Sequence, residues 1–409
     1  MDILPILSTL RRHKLTAWLL ILEIALTCAI VCNAVFLIGQ RLQRMDMPSG
    51  IAEHELVQIQ MAYIGNRPDA NARAQTDLAA LRQIPGVQQV ALSISLPFSM
   101  GGPNSDVMLA PQQQLRTVSA SNYFGQNLVP TLGLKLVAGR NFRPEEYIDL
   151  DTATAALQSG DPKGLPQTVI ITKLMADRLW PGQSALGKTI YIGKSIPFRV
   201  IGVLARLTRS GGLYEGADNS MMMPISINLT SGGSYLIRCA PQDRAKVLKA
   251  AVATLKKIDP RRVVLQRRNY DDLRRAYFAS DRAMAGILVG VCIALLIVTA
   301  LGIVGLASFW VAQRRRTIGV RRALGATRTD ILHYFQTENF LLATIGIVIG
   351  MALAFGINLF LMQHYELPRL PAIYFPVGAI ALWVIGQLAV LGPALRAAAV
   401  PPVVATRSV

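Results

Sequence analysis

Four long apolar segments dominate the pattern of hydrophobic and polar positions along the chain. They are Leu15 to Ile38, Met284 to Val311, Phe340 to Met362 and Ile373 to Leu395. Each is long enough to cross a hydrocarbon core of ~30 Å, which takes about 20 apolar residues in a helix. The first is too long and starts too late for a cleaved signal peptide, and it lacks a small-x-small cleavage site. The pattern therefore predicts an integral membrane α-helical protein with four transmembrane helices.

The segment between the first two spans has the alternation of a folded domain. From His54 to Ile64, alternate apolar residues lie on one face, which predicts a half-buried strand. A helix stopped by Pro85 and Gly86 and a strand from Val87 follow. A second strand, helix and strand cover SYLIRCA, the stretch around Ala245 to Ile258, and RRVVLQ. These elements predict a large extracytoplasmic α+β domain inserted between helices 1 and 2.

Domain boundaries follow from this pattern. We expect a cytoplasmic N-terminus with helix 1 over residues 1–40, the inserted domain over 41–282, and a membrane domain with helices 2–4 over 283–409. Within the inserted domain, the stretch from Pro97 to Thr117 is rich in Gly, Pro and Gln, so long loops are expected there. An apolar fraction of 52% and a mean hydropathy of +0.38 agree with a membrane protein.

The charges predict an orientation. Basic residues next to spans favour the cytoplasm, and they occupy the N-terminus, the connection between the second and third spans, and the C-terminal tail. This topology places both termini in the cytoplasm and the inserted domain on the other side of the membrane. Much of the net charge of +18 lies beside spans, where topology and anionic membrane lipid explain it. No aromatic-basic interleaving indicates a nucleic-acid surface.

One motif, GQSALGKT at Gly182 to Thr189, fits the phosphate-loop pattern G-x-x-x-x-G-K-[ST]. A phosphate loop needs a strand before the glycine-rich turn and a helix after it. Here the preceding KLMADRLW has helical spacing, and the following residues read as a hairpin with a turn at Lys194 and Ser195. We therefore predict a surface turn between a helix and a hairpin, with no nucleotide bound.

No catalytic or metal site is predicted. The acidic tract EEYIDLD, Glu145 to Asp151, lacks the spacing of a calcium loop and is interpreted as a solvated loop. Cys28, Cys32 and Cys292 lie in spans and Cys239 lies alone in the inserted domain, so no disulfide is expected within that domain. The four histidines are scattered. We predict no cofactor in this chain.

The segment between the second and third spans, QRRRTIGVRRALGATRTDILHYFQTENF, carries the strongest functional signal. Ile318, Val320 and Leu324 fit a short amphipathic helix that stops at Gly325. Thr327 and Asp330 then resemble a capping box that starts the next helix. Such a helix either lies on lipid headgroups or enters a groove on a cytoplasmic partner, with Ile318 and Leu324 as apolar anchors.

Polar and small residues within the spans are further candidates. Glu23 is either a functional carboxylate inside the membrane or a residue near the cytoplasmic headgroups that pairs with Arg or Lys. Gly286 and Gly290 in the second span, and Gly346 and Gly350 in the third, form small-x-x-x-small ridges. We predict that these ridges pack helices within the subunit or in a dimer.

The motif TIGVRRALGATRTDIL resembles the signature of the FtsX-like permeases of MacB-type ABC transporters. In the inserted domain, NYFGQNLVPTLGLKLVAGRNF, ITKLMADRLWPG, ALGKTIYIG and PFRVIGV are similar to the family's extracytoplasmic core, and GPALRAAAVPPVVATR is similar to its usual ending. In this family a short cytoplasmic coupling helix contacts the ATPase. The residues that match it here are Thr317, Ile318, Gly319, Val320, Arg321, Arg322, Ala323, Leu324, Gly325 and Ala326.

The resemblance also implies partners. They are a MacB/LolD-type ABC ATPase dimer that binds ATP and Mg, a second permease copy or paralogue, and in some systems a periplasmic adaptor and an outer-membrane channel. MacB itself carries a fused ATPase, whereas about fourteen residues precede the first span here, so the ATPase is expected as a separate chain. The family commonly has an acidic residue where this chain has Thr317, which removes any ion pair made there.

Two functions from different classes fit these observations. The first is an ABC transporter permease that transmits work from the ATPase to the outer domain, in export or extraction of a peptide, antibiotic, lipoprotein or other amphipathic cargo. The second is an FtsX-like regulatory or sensory scaffold whose outer domain acts on a hydrolase or ligand without transport. Both use the coupling helix, and neighbouring genes would discriminate between them.

Overall fold

The computed structural model describes residues 14–62, 69–99, 101–159, 164–193, 196–211, 216–228, 233–365 and 370–401. The chain forms two compact units. The membrane unit comprises Met1–Met45 and Ser280–Val409, and the inserted unit comprises Asp46–Ala279. In the described residues the helices are, in chain order, α1 (Lys14–Met45), α2 (Ala70–Arg82), α3 (Leu128–Leu132), α4 (Leu150–Ser159), α5 (Lys173–Leu179), α6 (Arg244–Ile258), α7 (Tyr270–Tyr277), α8 (Ala279–Gln313), α9 (Arg315–Ala323), α10 (Arg328–Tyr365) and α11 (Tyr374–Ala398).

In the part of the chain that the structure describes, all strands lie in the inserted unit. In chain order they are β1 (Leu56–Ala62), β2 (Val87–Ser93), β3 (Asn104–Met108), β4 (Val118–Phe124), β5 (Leu136–Gly139), β6 (Ile148–Asp149), β7 (Thr168–Thr172), β8 (Thr189–Ile192), β9 (Ile196–Leu204), β10 (Ser220–Met223), β11 (Ile225–Ser226), β12 (Ser234–Cys239) and β13 (Val263–Asn269). With the helices between them, they form the predicted α+β domain.

An antiparallel four-stranded sheet forms one half of the inserted unit, in the order β13-β1-β12-β2. The predicted alternation in β1 is confirmed at Val57, Ile59 and Met61, which are buried. They pack with apolar residues of α2 and α6, such as Leu78 and Leu255. Burial of one sheet face under two helices is the α+β packing that the two sequence units predict.

The other half is a mixed sheet in the order β5-β9-β7-β10-β4-β3-β8, in which β8 also pairs with β9. Strands β9, β7, β10, β4, β3 and β8 therefore close into a ring. Its interior is filled by branched and aromatic side chains such as Val169, Ile190 and Phe198. Closure leaves few free strand edges.

The membrane unit is organised around α1. Buried α1 side chains such as Ile24 and Cys28 pack with residues of α8, α10 and α11, including Ile303, Ile347 and Leu382. The four helices α1, α8, α10 and α11 are long and apolar enough to span a membrane, as predicted. Within its most apolar stretch, α1 is 61% buried inside the structure, whereas α8 is 17% buried. Helix α8 therefore presents most of its surface outward.

The turn at GQSALGKT is confirmed. Helix α5 precedes it, and β8 begins at Thr189 and is paired with β9. Lys188, the residue that would hold a phosphate, places its ammonium over the Trp180 ring at 5.2 Å. The predicted turn residues Lys194 and Ser195 lie outside the described residues.

One loop prediction is correct only in part, and another is wrong. Between Pro97 and Thr117, loop residues lie on both sides of β3, which pairs with β4 on one side and β8 on the other. The neighbouring strands β4 and β8 stabilise β3, although the sequence NSDVM alone does not predict a strand. The acidic tract at 145–151 is also not a loop, because it forms the end of a 3-10 turn, β6 and the start of α4. There Glu146 accepts two hydrogen bonds from Arg140, at 2.7 and 2.8 Å.

Candidate coupling-helix site

The connection between α8 and α10 folds into the short helix that the sequence predicts. Helix α9 ends before Gly325, whose φ of +102° is a conformation that only glycine adopts easily. The Thr327 main-chain N–H donates to Asp330 Oδ2 at 2.9 Å, and the Asp330 N–H donates to Thr327 Oγ1 at 3.2 Å. This reciprocal pair is a capping box, which fixes the start of α10.

One face of α9 is packed inside the chain. Ile318 is 4% exposed and lies in an apolar cluster with Val311 of α8, Phe335 of α10 and Ala397 of α11. Gly319 beside it is also buried. This face therefore joins α9 to the ends of three spanning helices.

Arg322 adds a polar attachment to the same face. Its Nη1 donates to the main-chain oxygens of Ala398 at 3.1 Å and Val400 at 2.6 Å. The last carbonyls of a helix have no partner within the helix, and a cation there also complements the helix dipole. Arg322 thus caps α11 from α9.

A buried ion pair holds the neighbouring helices. Arg314, between α8 and α9, donates to both carboxylate oxygens of Glu338 in α10, at 2.8 and 3.1 Å. Glu338 is fully buried, and the Arg314 guanidinium also lies 5.6 Å from the Trp310 ring centre. A buried pair of this kind is costly to break, because one charge is then left without its partner.

The opposite face of α9 is exposed. Leu324 is 83% exposed and Val320 is 44% exposed. Arg321 lies over the Tyr334 ring at 4.9 Å. The other predicted contact residues are exposed at Thr317, Ala323 and Gly325 and half-buried at Ala326.

The structure corrects one predicted anchor. Ile318 was expected to insert into a partner, but its side chain is enclosed by this chain. The exposed apolar pair is Val320 and Leu324. The sequence does not distinguish a buried anchor from an exposed one, because apolar residues occur on both faces of α9. Which of them is buried depends on the contacts with α10 and α11.

The glycine ridges divide into two groups. A Cβ at Gly346 would lie 2.8 Å from Ile24 Cγ2, and one at Gly350 would lie 2.5 Å from Cys28 Cβ, so α10 and α1 approach closely there. A Cβ at Gly286 or Gly290 would meet no described atom within 4 Å. The described residues of this chain therefore offer Gly286 and Gly290 no packing partner, and their packing in a dimer stays a prediction.

Glu23 lies inside the membrane unit. Its carboxylate rests against α8, because a Cβ at Gly302 would lie 2.5 Å from Glu23 Oε2. Thr27, one turn further along α1, shares a 2.8 Å hydrogen bond with Thr299 of α8. Among the described residues, no Arg or Lys pairs with Glu23, and its role stays a prediction.

Two contacts of this site were not predicted from the sequence. The sequence places Arg322 within the coupling-helix motif and Arg314 among the basic residues that follow the second span, and neither position predicts a contact. Glu338 could have been singled out from the sequence, because a charged residue in a largely apolar helix usually has a partner within the protein. The ends of α11 and α9 meet only in three dimensions, so nothing in the spacing pointed to the Arg322 cap.

Comparison with known families agrees with this architecture. Residues 19–255 match the model of the MacB-like periplasmic core domain, and residues 289–402 match that of the FtsX-like permease C-terminal region. The second match contains the whole of α9. Both regions are permease regions.

Individual relatives show the same pattern. The chain is 24% identical to the ABC transporter permease YknZ of Bacillus subtilis, over 98% of this chain and 97% of the relative. It is 30% identical over 234 residues to the macrolide export ATP-binding/permease protein MacB of Bradyrhizobium diazoefficiens, covering 54% of this chain but only 35% of that protein. The crystal structure of the periplasmic region of MacB from Actinobacillus actinomycetemcomitans shares 17% identity at a TM-score of 0.32, covering 57% of this chain and 97% of that one.

The match to the periplasmic core model alone covers more than half of the chain, and the permease model covers the three later spanning helices. The first matched region contains most of α1 and most of the inserted α+β unit, and the second contains most of α8 with the whole of α10 and α11. The chain therefore belongs to the family of multi-pass ABC transporter permeases that combine a MacB-like periplasmic core domain with an FtsX-like permease region.

Proposed function

We propose that this chain is a permease subunit that transmits the work of a separate ATPase to its inserted unit. The observation that carries the proposal is the two-sided structure of α9. One face is fixed to α8, α10 and α11, and the other presents Val320 and Leu324 among arginines. Exposed apolar anchors on a helix are suited to a groove on a partner protein.

The fixed face makes α9 a suitable lever. Ile318 packs on α10 and α11, Arg322 caps α11, and Arg314 holds the end of α8 to α10. A displacement of α9 would therefore move several spanning helices at once. Such coupling requires that the partner binds the permease differently in its two nucleotide states.

The partner that fits is a MacB/LolD-type ABC ATPase dimer, which would bind ATP and Mg while this chain binds neither. A second permease copy or paralogue would complete the membrane part. The chain would lie in a bacterial cytoplasmic membrane with both termini in the cytoplasm and the inserted unit outside, where an adaptor and an outer-membrane channel could join it. The MacB relative is named for macrolide export. The proposed cargo class is wider: a peptide, antibiotic, lipoprotein or other amphipathic molecule.

The experiment changes the exposed face and leaves the packed face intact. Val320→Asp and Leu324→Asp are made in the full-length permease, which is co-expressed with a candidate MacB/LolD-type ATPase from the same genome and purified through a tag on the permease. We expect the double variant to recover less than about a tenth of the ATPase, because each Asp would place an unpaired carboxylate where the interface needs an apolar anchor, and about 1.4 kcal/mol suffices for a tenfold loss. ATP turnover stimulated by the permease should fall in parallel.

The matched control is Leu115→Asp, because Leu115 is 80% exposed like Leu324 but lies in the inserted unit. It should leave ATPase recovery unchanged. Undiminished recovery and turnover with the α9 double variant would refute the proposed contact.

A further inference from the structure

Glu23 is the only Asp, Glu, Lys, Arg or His in the four apolar segments of the chain. It lies nine residues after Lys14, where α1 begins. At 1.5 Å per residue this is about 14 Å along the helix axis, or roughly half of a ~30 Å hydrocarbon core. A glutamate side chain is too short to reach the lipid headgroups from this depth.

The contact of Glu23 with α8 gives a similar depth. Both carboxylate oxygens lie against Gly302, where a Cβ would come within 2.5 Å of Oε2 and 2.6 Å of Oε1. Gly302 is eleven residues before Gln313, the last residue of α8, which corresponds to about 17 Å. Any side chain at position 302 would therefore meet the carboxyl group, and the glycine leaves room for it between the two helices.

No cation neutralises Glu23 in the described part of the chain. The apolar segments of α8, α10 and α11, the helices that pack with α1, carry no basic residue. Arg314, at the basic end of α8, is already paired with Glu338. A second copy of this chain would bring the same segments and therefore no cation within the spans. The other titratable side chains of the four segments are neutral when protonated, and they are Cys28, Cys32, Cys292 and Tyr374.

An unpaired carboxylate is unfavourable in this setting. An ionised group in an apolar medium loses its hydration, and protonation is the usual way in which such a group avoids the cost. A protonated carboxyl group has one O–H donor and an acceptor oxygen, like other neutral polar groups. The same helix contact already holds such groups, because the buried hydroxyls of Thr27 and Thr299 share a hydrogen bond of 2.8 Å one turn further along α1.

We propose that Glu23 is a proton-binding site within the membrane. Its carboxyl group is protonated while α1 and α8 are packed, and it releases the proton only when water reaches their contact. On release the O–H bond breaks, the proton passes to water, and the carboxylate keeps the electron pair. Proton binding and the packing of α1 on α8 are then linked, so that each favours the other by the same factor. This site goes beyond the proposed coupling function and needs no ATPase.

The test is carbodiimide labelling of the full-length protein in lipid nanodiscs. N,N′-dicyclohexylcarbodiimide dissolves in the bilayer and reacts with protonated carboxyl groups. The acid proton goes to a carbodiimide nitrogen, the carboxyl oxygen bonds to the central carbon, and rearrangement leaves a stable N-acylurea that retains the whole reagent. Glu23 is half-buried, so a reagent dissolved in the lipid can reach it. Digestion and mass spectrometry identify the labelled peptide.

We expect the adduct at Glu23 and none at Glu338, the matched carboxyl group, because Arg314 holds Glu338 in its ionised form. Glu23→Gln should remove the adduct from the α1 peptide. A cationic, water-soluble carbodiimide should label exposed acids such as Glu145 and leave Glu23 unmodified. Absence of the Glu23 adduct with the lipid-soluble reagent would overturn the proposal. Labelling of Glu23 by the water-soluble reagent to the extent seen at Glu145 would also overturn it.

Thermal unfolding of wild type and Glu23→Gln in the same nanodiscs gives an independent readout, because glutamine has the shape of the neutral acid but does not ionise. We expect equal unfolding temperatures near about pH 4, where the folded and unfolded states both hold the proton. Near about pH 8 the unfolded chain loses the proton more readily than the folded chain, so the wild type should unfold at a lower temperature than Glu23→Gln.

Glu338→Gln is the matched variant for this measurement. It should unfold at a lower temperature than wild type near about pH 8, the opposite direction, because the change leaves Arg314 without its partner. A difference between Glu23→Gln and wild type that is the same at both pH values would overturn the proton site. No ATPase is present in either experiment, so failure of the coupling proposal and failure of this one are separate results.

Discussion

Arg322 and Val400 are joined by a 2.6 Å hydrogen bond from the guanidinium to a main-chain carbonyl, although they are 78 residues apart in sequence. The same nitrogen donates to Ala398 O at the end of α11. A residue within the family's coupling helix therefore completes the hydrogen bonding of the last spanning helix. The end of α11 depends on the position of α9.

Replacement of Arg322 by Met should destabilise the membrane unit by about 1–3 kcal/mol, because the carbonyls of Ala398 and Val400 lose a charged donor. Thermal unfolding of the full-length protein in nanodiscs measures the change. Arg322→Lys should restore only part of the loss, since the lysine side chain is shorter and its ammonium does not reach the position of Nη1, which makes both contacts. The control is Arg316→Met on the exposed side of α9. An equal loss in the control would show that the cap contributes nothing specific.

The two predicted apolar anchors of α9 should respond differently to truncation. Ile318→Ala removes buried methyl groups from the cluster with Val311 and Phe335, and it should cost about 2–4 kcal/mol of stability. Leu324→Ala changes an exposed side chain and should leave stability within about 0.5 kcal/mol. Thermal unfolding of both variants, side by side, checks the difference. Similar unfolding temperatures for the two would contradict the assignment of faces.

Some features of this fold follow from local sequence, and others depend on contacts made only in the folded chain. The four spans were predictable because a hydrocarbon core demands about 20 apolar residues whatever the rest of the chain does. The ends of α9 were predictable because Gly325 and the Thr327–Asp330 pair act locally. The buried face of α9 was not predictable, because it depends on contacts with α10 and α11. The same holds for β3, whose polar sequence becomes a strand only because β4 and β8 pair with it on either side.

The close approach of α10 and α1 should make Gly350 intolerant of any side chain. In Gly350→Ala, the new Cβ would lie 2.5 Å from Cys28 Cβ and 2.6 Å from the main-chain oxygen of Ala25, so the helices must separate. We expect a loss of about 1–3 kcal/mol or failure to accumulate in the membrane. Gly356→Ala in the same helix is the matched control, because a Cβ there meets no described atom within 4 Å. Expression level and thermal unfolding are the measurements, and equal tolerance at both sites would contradict the packing.

A second buried ion pair lies in the inserted unit, where Arg262 Nη2 donates to Asp77 Oδ1 at 2.8 Å and both side chains are fully buried. Tyr235 also donates to Asp77 through its hydroxyl. Asp77→Leu or Arg262→Leu alone should destabilise the unit by about 3–5 kcal/mol, because the remaining charge is buried without its partner. The double variant should be more stable than either single one. Thermal unfolding of all three tests this, and additive losses would argue against the coupling.

The Arg140–Glu146 pair should make the stability of the inserted unit depend on pH. Hydrogen bonds from Arg140 hold the pKa of Glu146 below its ordinary value of 4.5. A carboxyl group with a lowered pKa stabilises the folded state above the pKa of the unfolded chain, and this contribution disappears as the pH falls through the lowered value. Glu146→Gln should therefore unfold at a lower temperature than wild type at pH 7, and the gap should close as the pH drops below about 4.5. Thermal unfolding of both proteins from pH 7 to pH 3 measures it. A gap that is constant across this range would mean that the ionised pair does not contribute.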